Sequence, residues 1–177
     1  MRRIGVLMPG DENDPEPKSR VSAFTQALAD LGWTEGRNVR MDLRLGGGDI
    51  DRIRALAQEL VGLQPDIIVT GTTPATRAVQ HETPTIPIVF ATVGDPVASG
   101  LVARLDRPSG NITGFATSEA SLGGKWLELL SEIAPGLKRA AIIFNPDTNP
   151  VSVYMPSLET AARSLKVEQI IKPVHTT

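Results

Sequence analysis

Hydroxyl, amide and carboxylate side chains that could hold a small polar molecule gather in segments that each follow an apolar run of strand length. Pro9 and Gly10 open the polar stretch Pro9-Gly10-Asp11-Glu12-Asn13-Asp14-Pro15, longer than the roughly 2–6 residues of an ordinary strand-to-helix connection. Gly71-Thr72-Thr73-Pro74 follows Ile67–Thr70, Thr92-Val93-Gly94-Asp95-Pro96 follows Ile88–Ala91, and Asn145-Pro146-Asp147-Thr148-Asn149-Pro150 follows Ala140–Phe144. At a helix start, Thr72 and Thr73 offer hydroxyls and unbonded N–H groups, a seat for a carboxylate. The same residues serve equally as a plain N-cap, with Pro74 suited to the first helical position. Asp95 can meet an ammonium group or cap a helix near Val97, and capping is the preferred role. Asn145, Asp147, Thr148 and Asn149 could coordinate a ligand's polar end, and their proline spacing equally marks a turn. The functional argument is coincidence of place: in open parallel sheets ligands sit outside the carboxyl ends of the strands, and these segments share that edge.

The elements that must position them alternate between strand-length apolar runs and helical periods, the pattern of βαβ units. Strands are expected at Ile4–Met8, Val39–Leu45, Ile67–Thr70, Ile88–Ala91, Ile112–Phe115, Ala140–Phe144 and Val167–Val174. A helix is expected from Val21 to Leu31, stopped by Gly32. Another carries Ile53, Leu56, Ala57, Leu60 and Val61 on one face, with Asp49 or Asp51 as cap. Shorter helices are expected over Thr76 to His81 and Val97 to Leu105. A longer one, Leu122 to Ile133, presents Trp126, Leu129, Leu130 and Ile133 on one face and ends at Pro135-Gly136. The expected fold class is α/β: a doubly wound parallel-sheet lobe over residues 1–116 and a partial second α/β lobe over 117–177, with the Gly, Ser and Thr-rich segment 113–121 as hinge.

Composition narrows the function. A net charge of −2 over 177 residues leaves no surplus for a phosphate backbone, so nucleic acid is not an expected partner. No cysteine is present, which removes disulfides, thiolate metal sites and thiol nucleophiles. The apolar run after Arg2-Arg3 is too short for a signal-peptide core and reads as a strand, and no run reaches the roughly 20 apolar residues of a membrane span. G-x-S-x-G, G-x-x-x-x-G-K-[ST] and G-x-G-x-x-G are all missing, and Gly46-Gly47-Gly48 lacks the spacing of a pyrophosphate turn. His81 and His175 stand apart without metal-ligand spacing, and Trp33 and Trp126, beside apolar neighbours, read as core. The expectation is a protein without catalytic residues, cofactor or metal.

Several segments, taken in order, resemble the periplasmic-binding-protein-like family of ABC transporter substrate-binding proteins that includes tryptophan- and tyrosine-binding members. They are Ile4-Gly5-Val6-Leu7, Leu31-Gly32-Trp33-Thr34-Glu35-Gly36-Arg37-Asn38-Val39, Pro65-Asp66-Ile67-Ile68-Val69, Thr73-Pro74-Ala75, Ile86-Pro87-Ile88-Val89-Phe90, Gly94-Asp95-Pro96-Val97 and Gly110-Asn111-Ile112-Thr113-Gly114. The resemblance implies a type I periplasmic-binding-protein fold, two lobes with the ligand in the cleft between them. It implies an extracytoplasmic or periplasmic location and an ABC permease as partner. It places an amino-acid carboxylate at Thr72, Thr73, Thr92 and Val93, and Asp95 in the family's Asp-Pro position. It matches Asn145 to Ser152, including Thr148 and Asn149, to the first binding loop of the second lobe, in which Pro156 interrupts the expected helix.

The competing functional reading is a ligand-sensing regulatory domain of the same fold, and a third is a small α/β enzyme, for which the site loops offer no nucleophile and base. The two strands expected in the second lobe have apolar faces and open edges, from which association of two copies into a homodimer is expected.

Overall fold

Strand after strand, the apolar runs expected of a buried parallel sheet pair side by side. The computed structural model describes residues 1–11, 14–108, 110–146 and 151–174. Strands β1 (Arg2–Met8), β2 (Val39–Leu45), β3 (Ile67–Thr70), β4 (Ile88–Gly94) and β5 (Ile112–Ser118) form a five-stranded sheet in the order β2-β1-β3-β4-β5, all parallel. Helices α1 (Pro15–Asp30), α2 (Ile50–Gly62) and α3 (Thr73–Glu82) connect them. Both faces of the sheet are covered, which is why its strands read as continuous apolar runs. Leu7, Ile68, Ile88 and Phe90 pack with Ile53, Ala57 and Leu60 of α2 and with Ala75 and Val79 of α3. Ile4, Val6 and Met8 face the other way, toward Val21, Phe24 and Leu28 of α1.

Edges are handled by charge and by close approach. On the outer strand β2, Asp42 accepts from Arg3 Nε at 2.6 Å and Arg44 Nη2 donates to Glu59 at 2.5 Å. A charged edge is a poor template for further strands. At the opposite edge Gly114 lets β5 lie against β4, because a Cβ there would stand 2.1 Å from the Phe90 carbonyl oxygen.

Beyond β5 the chain continues with α4 (Leu122–Ile133), β6 (Arg139–Phe144), a 3₁₀ turn (Val151–Val153), α5 (Met155–Leu165) and β7 (Glu168–Pro173). β6 and β7 make a separate two-stranded parallel sheet. Leu127 of α4, Leu158, Ala161 and Ala162 of α5, Tyr154 and Val167 form its core, with Ala140 and Ile142 packed against them.

Three expectations are corrected. No helix forms over 97–105, where the chain runs in turns. The Pro96 carbonyl there accepts from the N–H of both Leu101 and Val102, Gly100 has φ of +71°, and Leu101 and Val102 are drawn into the core. Pro156 does not interrupt a helix; it lies in the first turn of α5, where its missing N–H is harmless. Trp33 and Trp126 are not core, being 41% and 49% exposed. Helix α4 packs through Gly123, Gly124 and Leu127, and its expected apolar face of Trp126, Leu129, Leu130 and Ile133 is left exposed. The two glycines admit α5 so closely that a Cβ on Gly123 would stand 2.8 Å from the Tyr154 carbonyl oxygen. Backbone proximity thus selected the packed face over side-chain apolarity.

Candidate functional site

Because β1 leads to β2 on one side and the chain then crosses to β3 on the other, the loops after β1 and β3 diverge at their carboxyl ends and leave a crevice. Pro9 and Gly10 form one wall. Gly10 has φ of +86°, its carbonyl accepts from Gly47 N–H at 3.1 Å, and the loop after β2 is thereby tied to the loop after β1. Gly71 forms the start of the other wall and presses against the first. A Cβ at Gly71 would meet Met8 Sδ at 2.6 Å, so a glycine is required for the two loops to touch.

From Gly71 to α3 the backbone groups can be followed one at a time. Gly71 N–H donates to the Leu7 carbonyl at 3.0 Å, and the Gly71 carbonyl accepts from Thr92 Oγ1. The Thr72 carbonyl accepts from Thr76 N–H at 2.9 Å and from Thr76 Oγ1 at 2.7 Å. Thr72 Oγ1, the N-cap of α3, accepts from Ala75 N–H at 3.4 Å. Among the described residues, the N–H groups of Thr72 and Thr73 and the Thr73 hydroxyl have no partner. The Thr72 hydroxyl only accepts, so four donors, two N–H and two O–H, are left at the positive end of the α3 dipole, half-buried and without an acidic side chain among the described residues bonded to them. Pro74 is the second residue of α3, one position later than the sequence reading put it, and lacks an N–H that could compete.

The end of β4 and the residue that follows it are structural, with Thr92 and Val93 inside the strand rather than in a loop after it. Thr92 spends its hydroxyl on the Gly71 carbonyl, and Val93 is fully buried with its carbonyl accepting from Thr117 Oγ1 at 3.3 Å. Asp95 holds φ of +33°, an uncommon backbone state for a residue with a Cβ. Its Oδ1 accepts from Ala98 N–H and its Oδ2 from Ala120 N–H, both at 2.9 Å. The carboxylate thus caps a turn rather than a Val97 helix, and also clamps the end of β4 to the segment ahead of α4. That segment is held from the far side as well: Ser157 Oγ donates to the Ala120 carbonyl at 2.5 Å, and Ser118 Oγ shares a 2.7 Å bond with Tyr154 OH.

Of the loop after β6, Asn145 is half-buried and Ser152 exposed, while Thr148 and Asn149, with Asp147, lie outside the described residues, as does His175. Pro146 lines a groove of about 460 Å³ together with Thr73 and Pro74, which brings this loop beside the mouth of α3. Sequence reading missed Thr70, Thr76, Ser118, Tyr154 and Ser157; no spacing rule signals them, since each has a partner on another element 6 to 37 residues away. Among the described residues no group of three His, Cys, Asp or Glu could hold a metal ion.

A parallel α/β sheet whose switch-point loops leave backbone donors open has the arrangement in which such sheets receive ligands. The family model for the ABC transporter substrate binding protein matches residues 12–173, and the chain belongs to that family, whose members bind solutes rather than catalyse reactions. It is 31% identical over 153 residues to a tyrosine-binding protein of Clostridioides difficile (strain R20291), covering 86% of this chain and 44% of that protein. Among solved structures it is similar to a conserved domain protein of Vibrio cholerae (TM-score 0.87, 28% identity) and to an ABC domain in complex with L-Trp from Streptococcus pneumonia (TM-score 0.86, 22% identity). Each match covers 98% of this chain and 57% of the other. The chain therefore spans about half the length of the relatives it matches.

Proposed function

We propose that the chain is the ligand-binding part of an extracytoplasmic solute-binding protein that passes an amino acid to the permease of an ABC importer. The observation that carries this reading is the set of donors on Thr72 and Thr73 at the start of α3 that have no partner among the described residues, a geometry complementary to a carboxylate. In this reading residues 1–116 form one lobe and 117–177 belong to a second. The ligand lies between the α3 mouth and the loop after β6, bounded by Pro9 and Gly10. The names of the relatives, a tyrosine-binding protein and a domain holding L-Trp, support aromatic amino acids as first probes. Pairing of two copies, expected from the sequence, has no support among the relatives and is not part of this reading.

The test is calorimetric titration with L-tyrosine and L-tryptophan. Binding is expected for the unaltered protein, and Thr73→Val is expected to weaken it by roughly 1–3 kcal/mol, the cost of a buried polar contact left unmade. Equal affinity of the variant and the parent would remove Thr73 from the site.

A further inference from the structure

We infer that Thr70 and Thr76, two threonines with no exposed surface, are positioning residues that aim the Thr72 and Thr73 donors at the ligand; the inference rests on the binding reading above. Thr70 ends β3 and Thr76 lies in the first turn of α3, both with relative exposure of 0%. Their hydroxyl oxygens are 2.7 Å apart, and Thr76 Oγ1 is also 2.7 Å from the Thr72 carbonyl oxygen.

The direction of the proton chain follows from counting. A carbonyl oxygen can only accept, so the single Thr76 O–H proton points at the Thr72 carbonyl. The Thr76 oxygen is then the acceptor of its other bond, and the Thr70 O–H must be the donor. The relay runs one way, from the end of β3 through Thr76 to the Thr72 carbonyl. That carbonyl belongs to the peptide unit whose nitrogen is the Thr73 N–H. Fixing its oxygen fixes the plane of the unit and hence the direction of the Thr73 donor. Thr92, by bonding the Gly71 carbonyl, does the same for the peptide unit that carries the Thr72 N–H. Both unpartnered backbone donors are thus aimed by a hydroxyl bonded to their own peptide unit, Thr76 for one and Thr92 for the other.

A purely structural role and a positioning role separate in a double variant. Removing one hydroxyl of a buried pair strands the other, whereas replacing both by groups of the same shape is close to neutral for stability. Thr76→Val alone is expected to lower the melting temperature, and Thr70→Val/Thr76→Val to recover most of that loss. The double variant is nonetheless expected to bind L-tyrosine roughly tenfold more weakly than the parent, the effect of one misaligned hydrogen bond. Thr76→Ser, which keeps the hydroxyl, is expected to restore affinity. Residual dipolar couplings of the Thr72 and Thr73 amides in the ligand-free protein supply a readout that needs no ligand. They are expected to change in the double variant, with the Thr73 coupling moving most, and to return in Thr76→Ser. Unchanged Thr73 coupling in the double variant overturns the inference, as does unchanged affinity for L-tyrosine. Couplings that move in a protein that binds neither L-tyrosine nor L-tryptophan uphold the positioning and reject the amino-acid reading instead.

Discussion

Leu60 and Ile143 both come from apolar runs, yet Leu60 is wholly buried between α2 and the five-stranded sheet while Ile143 is 68% exposed on β6. The difference lies in what surrounds them. The five-stranded sheet has α2 and α3 on one face and α1 on the other, so both sets of alternating side chains are covered. The two-stranded sheet receives α4 and α5 on a single face; Ala140 and Ile142 are packed there, whereas Ala141 and Ile143 point away and are exposed. The outer side of α4 is similarly open, with Ile133 at 80%. Apolar pattern states what a residue would gain by burial; which residues are buried depends on elements far away in the chain.

The contrast is broken most directly by truncation. Leu60→Ala is expected to cost about 2–5 kcal/mol, since a close-packed site cannot collapse around the lost atoms. Ile143→Ala is expected to change stability by no more than about 0.5 kcal/mol. Urea denaturation midpoints compare the two, and similar losses would mean that β6 is as well covered as α2.

A smaller effect is expected at the joint between the regions. An asparagine at position 95 has one acceptor oxygen for the two N–H groups of Ala98 and Ala120, so Asp95→Asn is expected to lower stability by about 1–2 kcal/mol. This differs from a plain N-cap, where Asn and Asp are nearly equivalent. A melting temperature equal to that of the parent would assign Asp95 to the turn alone and leave the two regions unclamped.

The smallest effect is acid sensitivity in the five-stranded region. The hydrogen bond from the Arg3 guanidinium holds the Asp42 carboxyl below its usual range, and the Arg3 backbone N–H, followed by the Arg2 side chain, does so for Asp66. Both carboxyls therefore have folded-state values below their unfolded ones. Their contribution is fully present above the unfolded value of about 3.9 and is lost as pH falls through the lower folded values. Arg3→Met is expected to flatten the decline in urea midpoint between about pH 5 and pH 3. An unaltered decline would place the acid sensitivity elsewhere.

Strand positions were readable from local pattern, an unbroken apolar run in β3 and a strict apolar–charged alternation in the edge strand β2, and both begin and end at the residues expected. The α2 face and its Asp49 cap were readable for the same local reason, a period of 3.6 with an acceptor ahead of it. Of the candidate site, the sequence reading offered residues but not their bonding. Thr73 and Pro146 line one groove, but Thr92 and Asp95, which looked alike as loop polar residues, turned out to be bonded to backbone groups 21 and 25 residues away.

The sequence by itself determined the alternation of strands and helices, and hence which loops share an edge, because periodicity and capping are properties of neighbouring residues. Tertiary structure alone decided which of the polar groups on that edge are already bonded and which remain open to a ligand. It also decided that α4 approaches α5 through two glycines, while its half-exposed tryptophan lies against the Tyr154 ring at 5.1 Å. Hydrogen-bond partners and close contacts come from residues distant in the chain, and a group's chemistry depends on whether such a partner has been met.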